Sequence, residues 1–395
     1  MYLIPLGYEQ GEKMMKARSV AILITLLTAV LAVALQPGAA SAQNLKSGAV
    51  YVLTNQAGNN AVAAFHRAAD GTLTLAGMFP TGGSGDPVAE PGDPPTDPLA
   101  SQGALILSGN NQLLFAVNAG SNEISVLAVG QKGLTLADKV SSGGVRPISL
   151  TLNGNFLYVL NEKGTPNITG FTVSNKGKLT PRAGSTRPLS GGAAADPAEV
   201  RFSPDGGLLV VTEKDTNQID VYTVGANGLA SAPVAHSSNG MTPFGFDFDS
   251  RGHLIVSEAF GGAPNQAAVS SYTASPSGSL SVVSGSVRDF QTATCWIVIA
   301  GGGRYVYTSN TGSGAVSSYR LGANGALALL NSVAASTGPN SFPIDMALDN
   351  SSRYLYVHAA GLQSVAAFRV ESNGSLTSIS VTGGLPFGAQ GIAAR

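Results

Sequence analysis

The stretch YVLTNQAGNNAVAAF, residues 51–65, sets two short apolar runs on either side of a Gly/Asn-rich turn, the pattern of a β-hairpin. Six more versions follow: FAVNAGSNEISVL (115–127), YVLNEKGTPNITGF (158–171), VVTEKDTNQIDVY (210–222), IVSEAFGGAPNQAAVSSY (255–272), YTSNTGSGAVSSY (307–319) and YVHAAGLQSVAAF (356–368). The first strand of each ends on a polar anchor, Asn55, Asn118, Asn161, Glu213, Glu258 or Asn310, with Ala359 in the last. A Gly-x-Leu or Gly-Leu signal then opens a third strand, at Gly71, Gly133, Gly177, Gly228, Gly278, Gly325 and Gly374. One more apolar run precedes six of the hairpins: ALILS (104–108), ISLTL (148–152), EVRFS (199–203), FGFDF (244–248), CWIVI (295–299) and IDMAL (344–348). Each unit therefore predicts four strands in about 50 residues, which is the blade of an all-β, seven-bladed propeller.

The first hairpin has no such run before it. The tail AQGIAAR (389–395) resembles SQGALIL (101–107), so the C-terminal strand is expected to complete the first blade. That closure pairs the two chain ends and hides a strand edge.

Composition refines this picture. Fifty glycines and 11% charged residues imply many tight turns and an uncharged polar surface. A net charge of −1 without a basic cluster past the N-terminus leaves no footprint for phosphate backbones, so nucleic acid is not an expected partner. Residues 1–42 differ from the rest: Lys13, Lys16 and Arg18 precede an apolar run from Ala21 to Leu35 and the small-residue motif Ala40-Ser41-Ala42. This predicts a signal peptide cleaved before Gln43, a single propeller domain over 43–395, a periplasmic or secreted location and no membrane span after cleavage. Cys295 is the one cysteine in the sequence, so no internal disulfide is expected.

The repeats, with Y-V/T-x-N closing one strand and G-x-L-T opening another, and phrases such as SPDGGLLVVTE (203–213), resemble YVTN-type propellers. More closely, they resemble the seven-bladed lactonase family, which includes 6-phosphogluconolactonase-like and 3-carboxymuconate cyclase-like enzymes. The resemblance implies a hydrolase that opens or closes a lactone ring at one mouth of the central channel, using an acidic residue with His and Arg side chains. A carboxylate there activates water, while cations hold the substrate and the developing oxyanion. By position the family's acidic residue corresponds to Glu213. Its Arg-His pair falls at Ala198-Glu199, its other His at Ile148 and its other Arg at Thr311.

The inner strands begin just after Pro147, Pro197, Pro243, Thr294 and Pro343. The next two residues of each are expected to ring the mouth: Ile148-Ser149, Ala198-Glu199, Phe244-Gly245, Cys295-Trp296 and Ile344-Asp345, with Gly103-Ala104 and Gly391-Ile392. That mouth would be apolar and acidic, with Glu199 and Asp345 as its charges and Arg146 as the nearest cation, and would repel a phosphorylated substrate. Glu213 and Glu258 are the candidate bases. Glu199, Phe244, Trp296, Asp345 and Arg146 are the candidate substrate-binding residues. Each has a plainer alternative: Glu213 and Glu258 bonding backbone amides between blades, Phe244 and Trp296 packing the inner strands, and Cys295 a small buried residue.

His66, His236, His253 and His358 lack metal-ligand spacing, and no nucleophile elbow, P-loop or dinucleotide fingerprint is present, so no metal or cofactor is expected. The one long insertion, GSGDPVAEPGDPPTDPLASQG (83–103), reads as a stiff, solvated excursion that folds over a mouth; its acids could collect Ca²⁺ but lack the order of an EF-hand. Two functions remain open: an exported lactonase acting on a small uncharged lactone, or a noncatalytic propeller that binds a small molecule, glycan or protein. A monomer is expected for either.

Overall fold

The computed structural model describes residues 44–89 and 94–395; the segment expected as a signal peptide lies outside them. Seven antiparallel sheets follow one another along the chain. Blade 4 shows the plan: inner strand Pro197–Phe202, then Leu208–Glu213, Gln218–Thr223 and outer strand Val234–Ser237. Blade 3 departs from four strands, because its outer edge is divided into Leu179–Pro181 and Arg187–Pro188. Each of these pieces ends on a proline, which has no N–H to extend the ladder.

The final strand, Gln390–Ala394, is the innermost strand of blade 1 and pairs antiparallel with Ala49–Leu53, Tyr51 opposite Ala393 and Val52 opposite Ile392. Arg395 extends the closure: its N–H donates to Ala49 O (3.0 Å) and its guanidinium to the carbonyls of Lys46 (2.6 Å) and Asn111 (3.1 Å). The ring is thus latched as expected.

The recurrent Gly-x-Leu signal gains a physical reason. Three of its glycines, Gly71, Gly228 and Gly374, sit at φ of 90°, 71° and 84°. Their carbonyls accept hydrogen bonds from the preceding blade's Tyr356, Tyr158 and Tyr307 hydroxyls, at 3.1, 2.9 and 2.9 Å. A Cβ at these glycines would lie 2.5–2.6 Å from a ring of Tyr354, Phe156 or Tyr305. Glycine therefore supplies both the left-handed turn and the space that lets one blade dock on the next.

The polar anchors are fasteners between neighbouring segments. Asn118 donates to Ser125 Oγ (2.8 Å) and accepts from Thr81 and Asn60. Asn55 forms a pair of bonds with the backbone of Asp86, holding the start of the insertion. No helix among the described residues is long and apolar enough to cross a membrane.

Candidate functional site

Every inner strand except Leu105–Leu107 in blade 2 carries a β-bulge near its start, as between Pro147 and Ser149, Pro197 and Glu199, and Ile344 and Met346. The bulge turns the second residue after the proline sideways, toward the next blade. Ser149 Oγ accepts from Val200 N (3.1 Å), Glu199 Oε2 from Phe246 N (2.7 Å) and Asp345 Oδ2 from Ile392 N (3.3 Å). Glu199 and Asp345 therefore stitch blade to blade around the channel wall, and neither lines the open mouth. Glu199 is 1% exposed and Asp345 3%. Burial pushes Glu199 up to about 7 despite Arg201, which binds its other oxygen at 2.8 Å, and pushes Asp345 up to about 8. Below them, half-buried Arg201 also reaches Asp247 at 3.3 Å.

Blade 5 has Gly245 in this stitching position, and the insertion fills the vacancy. Gln102 reaches across the channel: its Nε2 donates to Ile297 O (2.9 Å), its Oε1 accepts from Ile297 N (3.1 Å) and its own N–H donates to Ala198 O (3.1 Å). A Cβ at Gly245 would lie 2.1 Å from that Oε1, so the glycine makes room for the side chain. Ser101 O accepts from Trp296 Nε1 at 3.0 Å. Residues 100–102 thus cap the channel. Because Gln102→Ala strips both partners from a buried peptide group, it should destabilise the fold by about 3 kcal/mol. Urea unfolding checks this, and a loss under about 0.5 kcal/mol would mean that the cap carries no load.

Above the cap lies a cleft of about 670 Å³, built from two repeating positions. One is the residue before the inner strand's Pro or Thr. The other follows the anchor. They face each other as Arg146/Glu162, Asp196/Lys214, Thr242/Ala259, Ala293/Thr311 and Phe342/Ala360 in blades 3 to 7, and all of these except Arg146 and Ala360 line the cleft. In blades 4 to 7 the second residue's N–H donates to the first residue's carbonyl, at 3.0–3.3 Å. The first residues have φ of 56°, 42°, 55°, 57° and 42°, a left-handed conformation that is costly for these residue types and concentrated at functional surfaces.

In blade 3 the pair is a buried ion pair. Arg146, 4% exposed, contacts Glu162 through one nitrogen, Asp86 through a second (2.9 Å) and Pro98 O through a third (2.7 Å). It clamps both arms of the insertion. In blade 4, Lys214 Nζ binds Ala100 O (3.0 Å) and Asp196 Oδ1 (3.3 Å) and lies 5.3 Å from the centroid of the Phe244 ring. The Asp196 side chain is 31% exposed, and its second oxygen has no protein hydrogen bond among the described residues. Phe244 packs tilted on Trp296, with centroids 4.9 Å apart. Cys295 also lines the cleft.

The candidate bases lie elsewhere. Glu213 is wholly buried within blade 4 and accepts from Gly191 N (3.1 Å), Ser190 and Thr216. Burial, with the neighbouring Asp220, raises its pKa. Glu258 is equally buried and accepts from Gly240 N (2.9 Å), Ser270 and Ser286. The mouth also carries charges that the inner-strand positions did not indicate: Asp97, Glu162, Asp196 and Asp215 against Lys163 and Lys214. Period-2 alternation held the signal for some of them, since the residue after an inward-bonded anchor must point the other way. No group of three His, Cys, Asp or Glu side chains able to hold a metal occurs among the described residues.

The family model "Lactonase, 7-bladed beta-propeller" matches residues 88–188, 182–259 and 259–382. A curated 6-phosphogluconolactonase of Sodalis glossinidius (strain morsitans) is 26% identical over 156 residues, 37% of this chain, and the match spans only 46% of that protein. Among solved structures, a Lactobacillus plantarum protein superposes with a TM-score of 0.69 at 17% identity, covering 88% of this chain and 99% of its own. The periplasmic gluconolactonase of Pseudomonas aeruginosa superposes with a TM-score of 0.65 at 15% identity, covering 87% and 98%. At such identities the likeness is one of fold.

Proposed function

Because the chain belongs to the seven-bladed β-propeller lactonase family, we propose that it is a lactonase-type hydrolase of small uncharged lactones, exported from the cytoplasm and working in the cleft above the channel cap. The observation that carries this reading is the Asp196–Lys214 pair, a carboxylate open to the cleft beside an ammonium held over Phe244. Asp196 takes a proton from water as it attacks the lactone carbonyl. Lys214 steadies the oxyanion that forms, the ring C–O bond breaks, and the proton returns to the departing alkoxide to leave a hydroxy acid. Glu213 and Glu258 are poorly suited to be the base, since every oxygen they carry is buried and bonded. Four carboxylates against two ammoniums around the cleft disfavour a phosphorylated lactone.

The test is a panel of neutral and phosphorylated lactones followed by pH-stat titration. Asp196→Asn should lower kcat on neutral lactones by about 10²-fold, while Glu213→Gln, provided it folds, retains turnover. Loss of activity in Glu213→Gln with Asp196→Asn unaffected would move the base back to blade 4's interior. No turnover of any lactone would favour a noncatalytic propeller that binds its ligand in the same cleft.

A further inference from the structure

The facing pairs around the cleft change character in order. Blades 3 and 4 present Glu162, backed by Arg146, and the pair Asp196/Lys214, whereas blades 5, 6 and 7 present Thr242/Ala259, Ala293/Thr311 and Phe342. The division is complete along the cleft wall: each charged residue lining it precedes residue 216, and each lining residue from Thr242 onward is uncharged. Phe244 stands at the seam, with the Lys214 ammonium 5.3 Å from its ring centroid and the Trp296 ring packed tilted against it. Phe342, 37% exposed and held at φ 42°, forms part of the far wall.

From this segregation we infer that the ligand is amphiphilic: an uncharged lactone bearing an alkyl substituent, with the ring at Asp196 and Lys214 and the chain lying along blades 5 to 7. The inference rests on the lactonase reading for the ring and adds the substituent. Two physical points carry it. A bare lactone ring fills little of a cleft of about 670 Å³, a size that suits a much larger ligand. A polyhydroxylated sugar lactone would lay hydroxyls on the Phe342, Ala259 and Ala293 side chains, which offer no hydrogen-bond partner, while the Thr242, Thr292 and Thr311 hydroxyls on the same wall are each already bonded to the backbone; hydroxyls placed on the apolar side chains are left dehydrated and unpaired. An alkyl chain loses no hydrogen bonds there and removes apolar surface from water.

The experiment uses the full mature chain and a series of γ-lactones, from unsubstituted to long-chain alkyl, beside a sugar lactone of similar size. Binding is read separately from turnover with 2-alkyltetrahydrofurans, which have no carbonyl to attack. Trp296 is the sole tryptophan in the sequence and packs on Phe244, so its fluorescence reports occupancy of the seam. KM for the lactones and Kd for the ethers should fall about threefold per methylene over the first few carbons. Phe342→Ala should reduce the advantage of the long-chain ligand over the unsubstituted one about tenfold.

Turnover without dependence on chain length, or a sugar lactone preferred over the alkyl series, overturns the alkyl assignment and leaves the lactonase reading standing. Ether binding that tightens with chain length, together with no turnover of any lactone, does the reverse. A chain-length effect that Phe342→Ala leaves unchanged places the chain elsewhere and also overturns the inference.

Discussion

A chain ending at residue 388 should melt about 7 °C or more below the full-length protein, or fail to fold. The lost segment includes an entire inner strand, Gln390–Ala394, not a frayed end. Its removal exposes the edge of Ala49–Leu53 and deletes Ile392, which is 5% exposed. It also leaves Asp345 Oδ2 without the Ile392 N–H, and Arg67 loses Arg395 O, which its Nε reaches at 3.1 Å. Burial of one such aliphatic side chain is worth about 2 kcal/mol and each buried peptide partner about 1 kcal/mol or more. The sum is about 5 kcal/mol or more once the lost strand ladder is included, and for a domain of this size each kcal/mol moves the midpoint by about 1.4 °C. Calorimetry of the two chains decides it. A truncated protein melting within a degree or two of the parent would mean that blade 1 closes without its fourth strand.

The second large effect is one of pH. His358 lies in the strand Tyr354–Ala359 with no exposure and no hydrogen-bond partner on either ring nitrogen. Burial pushes its pKa down to about 3. The folded state therefore holds the ring neutral, while the unfolded chain takes up a proton below about pH 6.5. Stability from this group is intact above that value and is lost progressively as pH falls toward 3. At about pH 4.5 the loss reaches about 3 kcal/mol. Glu199 and Asp345 act with the opposite sign. Their folded pKa values of about 7 and about 8 lie above those of the unfolded chain, so their contribution is greatest in acid and is lost as pH rises through 8. The wild-type profile thus mixes opposing slopes.

Comparison with His358→Leu separates them, since Glu199 and Asp345 remain in both proteins. Between about pH 7 and pH 4.5, the stability of wild type relative to the variant should fall by about 3 kcal/mol in urea titrations. Parallel profiles would show that the imidazole gains a proton or a partner in the folded state.

The repeat, the blade count and the closing strand were legible because they rest on local chemistry. Period-2 alternation defines a strand, Gly-x-Leu defines a left-handed turn, and the missing first strand matched only the tail. The anchors were legible as bonded groups, and Glu213 and Glu258 do occupy the slot that Asn fills elsewhere. The mouth was only half visible. Phe244 and Cys295 were placed on it from their positions after Pro243 and Thr294, but the same reasoning put Glu199 and Asp345 there as well. The bulge that rotates those two side chains toward the neighbouring blade is a property of paired strands, and no single strand displays it.

Strand order, ring closure and the glycine turns were therefore determined by the sequence itself, since each depends on residues a few positions apart or on a recurring pattern. The site proposed here depends on tertiary structure alone. Asp196 and Lys214 meet because two strand ends abut, Gln102 reaches Ile297 from almost two hundred residues away, and Arg146 is spent on the insertion. Contacts of that kind arise from how the ring brings loops together, and alternation along one strand contains no trace of the partner across the channel.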